Sequence, residues 1–221
     1  MGGEPSKQTF TPQKSSELVL ALENAKPGDE IILDAVTYLG EFTLGGPPST
    51  PTTPPITLRG TTSLDKQLRT IISSESTAIS ISSGKWIVSG LTIQAGELGV
   101  EVAGRVENTG ILLETTASPT LIDTVTINMS SSKRTSLSVA EGCLGVHVHT
   151  TKCNGIASIS GDEGFYTFCN FDGVNMFGNG NDFTSSSLQI LFEASGTSEN
   201  MFEWPGGRIS TLSDTPLPLP K

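Results

Sequence analysis

Residues 89 to 102 align without gaps on residues 135 to 148, at an offset of 46 positions. Leu91 falls on Leu137, Ile93 on Val139, Gly96 on Gly142, and Leu98-Gly99-Val100 on Leu144-Gly145-Val146. With small shifts the correspondence continues, Asn108 on Asn154, Gly110 near Gly155, Thr120 near Thr167 and Asn128-Met129 near Asn175-Met176. A repeat of this length marks a stacked architecture, in which one supersecondary unit buries its apolar face only against its neighbours.

Each unit holds about six short strand-like pieces, among them Leu91 to Gln94, Gly99 to Val102, Gly110 to Glu114, Thr120 to Asp123 and Val125 to Asn128. Gly, Ser, Thr, Asn and Pro turns separate them. Six such pieces pack as two turns of a three-strand coil. The spacing therefore predicts an all-β fold, a single-stranded right-handed parallel β-helix, with coils of about 23 residues and alternate side chains in a shared interior. Leu91 over Leu137 and Val100 over Val146 would then occupy the same interior columns two coils apart, each contributing about 1.5–3 kcal/mol when buried.

Before the repeat, Leu18, Leu22 and Ala25 recur at helical spacing, with Ser15 or Ser16 as a cap and Pro27-Gly28 as a stop. The expected organisation is an N-terminal arm over 1–14, a β-helix over 15–203 opened by a short capping helix over 15–26, and a proline-rich tail over 204–221. A stiff surface loop is expected at 47–55, where five of nine residues are proline and cannot donate to a sheet ladder. Alone in water the tail would be floppy, so partners are expected to hold it.

The string Leu22-Glu-Asn-Ala-Lys-Pro-Gly-Asp-Glu-Ile-Ile-Leu33, followed by Tyr38 and by Ile56-Thr-Leu-Arg-Gly60, resembles the opening of pectate-lyase-like β-helix proteins. Within that superfamily it is most similar to polysaccharide lyases of family six, the alginate and chondroitin lyases. The resemblance covers residues 15 to 60 and implies a capping helix running into a first coil. For the family it also implies a Lys and an Arg on neighbouring coils beside Asn and Glu ligands of a calcium ion. In this chain Lys152, Lys133 and Arg134 are the basic candidates for that role, but no Lys and Arg share equivalent positions in the aligned units. Glu101, Asp123, Asp162 and Glu163 form no ligand pattern, and the paired aspartates and Gly-His-Gly turn of polygalacturonases are missing. The expectation is the fold without the family's catalytic constellation, so no cofactor is expected beyond a calcium ion in the lyase reading.

Metal binding is a second candidate chemistry. His147 and His149 are two apart on a strand whose other side is Val146 and Val148, so both imidazoles face outward. In the repeat His147 falls on Glu101, which makes Glu101 the candidate third ligand. Asn175, Asn179, Asn181 and Asp182 lie in a Gly-rich stretch that reads as turns or a stacked asparagine ladder, with an oxygen-rich calcium turn as the sharper alternative.

Serine and threonine make up 54 of 221 residues, and 13 Lys+Arg against 23 Asp+Glu leave a net charge of −10. Helical bundles and phosphate-driven nucleic-acid binders are excluded by that composition. No run of 18 apolar residues suggests a membrane span, and the start lacks the basic and apolar regions of a secretory signal. Cys143, Cys153 and Cys169 have no C-x-x-C pairing and read as buried, inert thiols. Aromatic residues gather late, from Phe165 to Trp204, as a wider core first, an interface second, and a sugar-stacking surface as the further alternative.

Together these features predict a non-catalytic structural β-helix protein of a large assembly. Its sharpest form is a virion component, a capsid decoration or tail protein, associating with other subunits as a homo-oligomer such as a trimer. The alternatives are a lyase of acidic polysaccharides and an extracellular carbohydrate-binding or adhesive surface protein, with glycans as partners.

Overall fold

The computed structural model describes residues 7–47, 50, 52–61, 69–96, 100–102, 111–113, 120–194, 197–203, 208–213 and 215–217. Every sheet pairing in it is parallel, and the chain winds as a right-handed β-helix. One nine-stranded sheet forms the first face, from Thr9–Phe10 through Glu30–Leu33, Trp86–Ser89 and His147–His149 to Met201–Glu203. A 13-stranded sheet supplies the other two faces. The second is built on Thr37–Leu39, Ile71–Ser74, Thr92–Ala95 and Thr126–Met129, and the third on Phe42–Leu44, Ile79–Ile81, Val100–Val102, Ile111–Leu113 and Thr135–Val139.

From residue 152 onward the second and third faces merge into long strands, Lys152–Ile159, Asn170–Met176, Ser187–Glu193 and Arg208–Ser213. Gly155 is where the bend between them survives. Its φ is +140°, and a Cβ there would meet the Arg134 carbonyl oxygen at 2.6 Å, so only glycine fits.

Alternation along each strand places one apolar column inside each face. On the first face Ile31, Leu58, Val88, Ile122, Val148, Tyr166 and Phe183 follow one another in register and are fully or nearly fully buried. The late aromatics divide. Tyr166, Phe171 and Phe183 are core, whereas Phe165, Phe168 and Phe177 are exposed. Trp204, like Asn108 and Gly110 of the repeat, lies outside the described residues.

The repeat does not set the coil. Leu137 pairs with Val100 and Ala157 on the third face, whereas Leu91 precedes a strand of the second face. Val146 enters the first face, and Val100 belongs to the third. The register Ile87, Leu121, His147, Phe165, Asp182, Met201 gives steps of 34, 26, 18, 17 and 19 residues instead of a constant 23. Loops at the corners absorb these differences, because parallel pairing constrains only the strands.

The first and second faces meet at a recurring tight corner. Gly90, Thr124, Thr150, Phe168 and Ser185 all have left-handed φ, from 47° to 65°. Each N–H donates to the next coil, Thr124 to the His149 carbonyl at 3.0 Å and Thr150 to the Thr167 carbonyl at 2.9 Å. For the non-glycine members that conformation costs about 1–2 kcal/mol each, which the stacked hydrogen bonds and the core offset.

The helix spans Ser15–Asn24, two residues shorter than the expected 15–26, and buries Leu18, Ala21 and Leu22 over the first coil. Its N-cap is Lys14, without a side-chain cap. Ser15 instead accepts a hydrogen bond from the Leu39 N–H at 2.7 Å, tying the helix to the second face. The coil also overruns the expected boundaries. Thr9–Phe10 pairs with Glu30–Leu33, and Arg208–Ser213 pairs with Ser187–Glu193, because the prolines of the tail begin again only at 216. Among the described residues no helix is long and apolar enough to cross a membrane.

The three cysteines are free and buried, in keeping with the sequence. Burial in apolar surroundings raises Cys153 well above the ordinary thiol range and pushes Cys169 up to about 12. The native chain is therefore expected to resist iodoacetamide at pH 8 and to take up label at all three positions once unfolded in urea, as read by intact mass. Rapid native labelling of Cys153 would contradict that burial.

Candidate functional site

Two surface features collect polar side chains from several coils. The larger is an open groove of about 1130 Å³ on the second face, to which five successive coils contribute. Register aligns Ser73, Gln94, Asn128 and Asn154 in one outward column, and Glu41 and Glu75 stand on its rim. Each member of the column directly follows a buried apolar residue, Ile72, Ile93, Ile127 and Cys153 in turn. Alternation thus aims every one of them at solvent while its predecessor anchors the strand. Asn154 Oδ1 accepts from the Met129 N–H at 2.6 Å, which fixes that amide. With neighbouring strands about 4.8 Å apart, five coils give a track of about 19 Å along the helix axis.

The second feature lies on the first face. His147 and His149 point outward from the two ends of their strand, with Val148 buried between them. Pairing aligns Asp123 with His149, and His149 Nδ1 lies 2.8 Å from Asp123 Oδ1. That partner favours the tautomer with the proton on Nδ1, and the Thr150 hydroxyl lies 3.4 Å from Nε2. Thr150, in the left-handed corner, places its hydroxyl 3.0 Å from Nδ1. Phe165 meets His147 edge-on at 4.9 Å and Phe168 meets His149 at 5.8 Å.

Register puts Glu101 on a different face from these imidazoles. It stands on the third face, paired with Ser80 and Ile111, while His147 pairs with Leu121 and Phe165 on the first. The shared column expected from the repeat fails because its offset carries a residue from one face to another. The basic candidates are separated as well. Lys152 opens an outward strand between Thr126 and Asn170, and Lys133 and Arg134 lie in the turn before Thr135–Val139. Arg134 meets that long strand at Ile156, whose N–H its carbonyl accepts at 2.8 Å. The bend at Gly155 stands between Lys152 and the point where Arg134 meets the strand.

The asparagine-rich stretch resolves into a ladder, with its members going to different places. Asn181 is fully buried, accepts from the Gly164 N–H at 3.0 Å and donates to the Gly161 carbonyl at 3.0 Å. Its own N–H donates to Asn200 Oδ1 at 3.0 Å one coil further on. A parallel series runs from Asp162 through Asn179 to Ser198. Asp182 accepts from the Thr184 hydroxyl on the first face, and Asn175 turns to the third face and the tail.

The sequence reading missed the amide column and the Asp123–His149 pair. The column carried a signal, an apolar residue followed at once by an amide or hydroxyl in four coils. The pair spans 26 positions and becomes visible only through register.

No family model and no curated protein matches this sequence. Among solved structures, an alginate lyase from Paenibacillus sp. str. FPU-7 is similar at 16% identity and a TM-score of 0.43, over 93% of this chain and 98% of that one. The PL6 family alginate lyase AlyGC is similar at 14% identity and a TM-score of 0.40, over 91% of this chain and 40% of that one. What is shared is the β-helix.

Proposed function

We propose that this chain binds polysaccharide, holding an extended glycan along the groove of the second face. The carrying observation is the column Ser73, Gln94, Asn128, Asn154, which repeats amide and hydroxyl groups at coil spacing on an open surface. Amides offer two donors and an acceptor each, the complement of a row of sugar hydroxyls. A linear polymer laid along the axis meets one such group on each of four coils, and Leu39 on the first.

The test is binding of the purified chain to alginate, pectin, chondroitin and neutral glucans by calorimetry, with and without calcium. Alginate leads the panel because both solved structures named above are alginate lyases. Gln94→Ala with Asn128→Ala is expected to weaken the best ligand about tenfold to thirtyfold, two hydrogen bonds at about 1 kcal/mol each. Binding that ignores this pair, or no binding at all, defeats the groove. The same samples are assayed for unsaturated sugar ends. Their release would move the reading to a lyase, with His149 as a candidate base beside Lys152, Lys133 and Arg134.

A structural role in a larger assembly, such as a virion, is the second reading. It is favoured by the notch at Gly173 and Asn175, which the tail of a neighbouring copy would fit.

A further inference from the structure

The tail is held by its own coil. Asn175, fully buried on the outer side of the third face, donates from Nδ2 to the Leu217 carbonyl at 3.2 Å and accepts from the Leu217 N–H at 2.9 Å. One amide thus reads both polar groups of one backbone residue, 42 positions away. The Leu217 side chain drops into a notch. In the outward column Ile156, Gly173, Ile190, the glycine interrupts a ridge of isoleucines, and a Cβ on it would lie 2.5 Å from Leu217 Cδ1.

The ligand is suited to this recognition. Between Pro216 and Pro218, Leu217 carries the one N–H of the three residues. A residue that precedes proline favours extended backbone, so little order has to be imposed on binding. The sequence expected partners to hold this tail, and within the single chain Asn175 binds it at Leu217. The bonds themselves do not depend on which copy supplies the tail.

We propose that the Gly173–Asn175 notch is a peptide-recognition site for a Pro-Leu-Pro segment, and that the tail of a second copy occupies it when copies lie side by side. Exchange of an identical element keeps every contact. The cis tail wins in dilute solution through an effective concentration in the millimolar range, and crowding within an assembly removes that advantage. Leu217 lies four residues beyond Ser213, at most about 14 Å of chain, so exchange requires direct lateral contact between copies.

Complementation tests this. Gly173→Ala fills the notch of one copy, and the atom it meets is the far end of a flexible leucine, so the coil stays intact while Leu217 is pushed out of the notch and the tail is loosened. Leu217→Asp spoils the tail of another copy and leaves its notch open. Tagged Gly173→Ala chain is expected to capture untagged Leu217→Asp chain at least about tenfold better than untagged Gly173→Ala chain. Equal capture of the two, or capture of neither, overturns the proposal. Circular dichroism checks both folds. Should Gly173→Ala unfold, a synthetic peptide of residues 214–221 gives the same answer, expected to bind Leu217→Asp chain and to bind wild type, whose notch is filled, about tenfold more weakly. Equal binding to both, or to neither, overturns it.

Discussion

Phe183→Ala is expected to destabilise the chain by about 3–5 kcal/mol, the range for removing a large aromatic from a core that cannot collapse around the cavity. Phe183 is 2% exposed. Its ring stacks on Tyr166 at 4.5 Å with an interplanar angle of 11°, stacks on Phe202 at 5.2 Å, and meets Phe171 edge-on at 6.3 Å. The coils above and below are fixed by parallel pairing on all faces, so neighbouring rings have little freedom to move into the void. Urea unfolding followed by circular dichroism reads the effect as a fall in midpoint. Phe168→Ala is the control. That ring is 62% exposed, and its loss is expected to change stability by no more than about 0.5 kcal/mol. Similar losses at the two positions would mean that the aromatic column does not carry the late core.

Asn181→Ala is expected to cost about 3 kcal/mol through a different mechanism. The side chain satisfies the Gly164 N–H and the Gly161 carbonyl in the interior, and its removal leaves both without that partner at about 1–3 kcal/mol for each. Asn181→Asp is expected to be at least as damaging at neutral pH, because an ionised carboxylate would face the Gly161 and Asn179 carbonyls now approached by Nδ2. The same unfolding experiment separates this from a surface turn, for which alanine would cost less than about 0.5 kcal/mol.

The stretch around Asn181 shows how far local sequence reaches. Gly-Asn-Gly-Asn announced turns, and a ladder of amides was legible because short polar side chains satisfy stacked turns well. The cysteines read as buried, and they are. That Asn175 would leave the ladder for the tail was not legible, since its partner lies 42 residues on. The 46-residue repeat was real in the letters and absent from the stacking. Leu-Gly-Val-x-Val serves the third face at Val100 and the first at Val148, because an alternating apolar segment suits any inward column.

What the sequence alone determined is the kind of structure: period-two alternation in short segments, punctuated by turn residues and preceded by one amphipathic helix stopped at Pro27-Gly28, which commits the chain to coils with an apolar interior. What the tertiary structure decided is which coil segment lies beside which. Coils of 34, 26, 18, 17 and 19 residues bring His149 onto Asp123 and Asn128 onto Gln94, and the tail beyond the coil lays Leu217 on Gly173. Alternation specifies inside and outside for each residue. Lateral partners follow from corner geometry and parallel register, which are set by the whole stack at once.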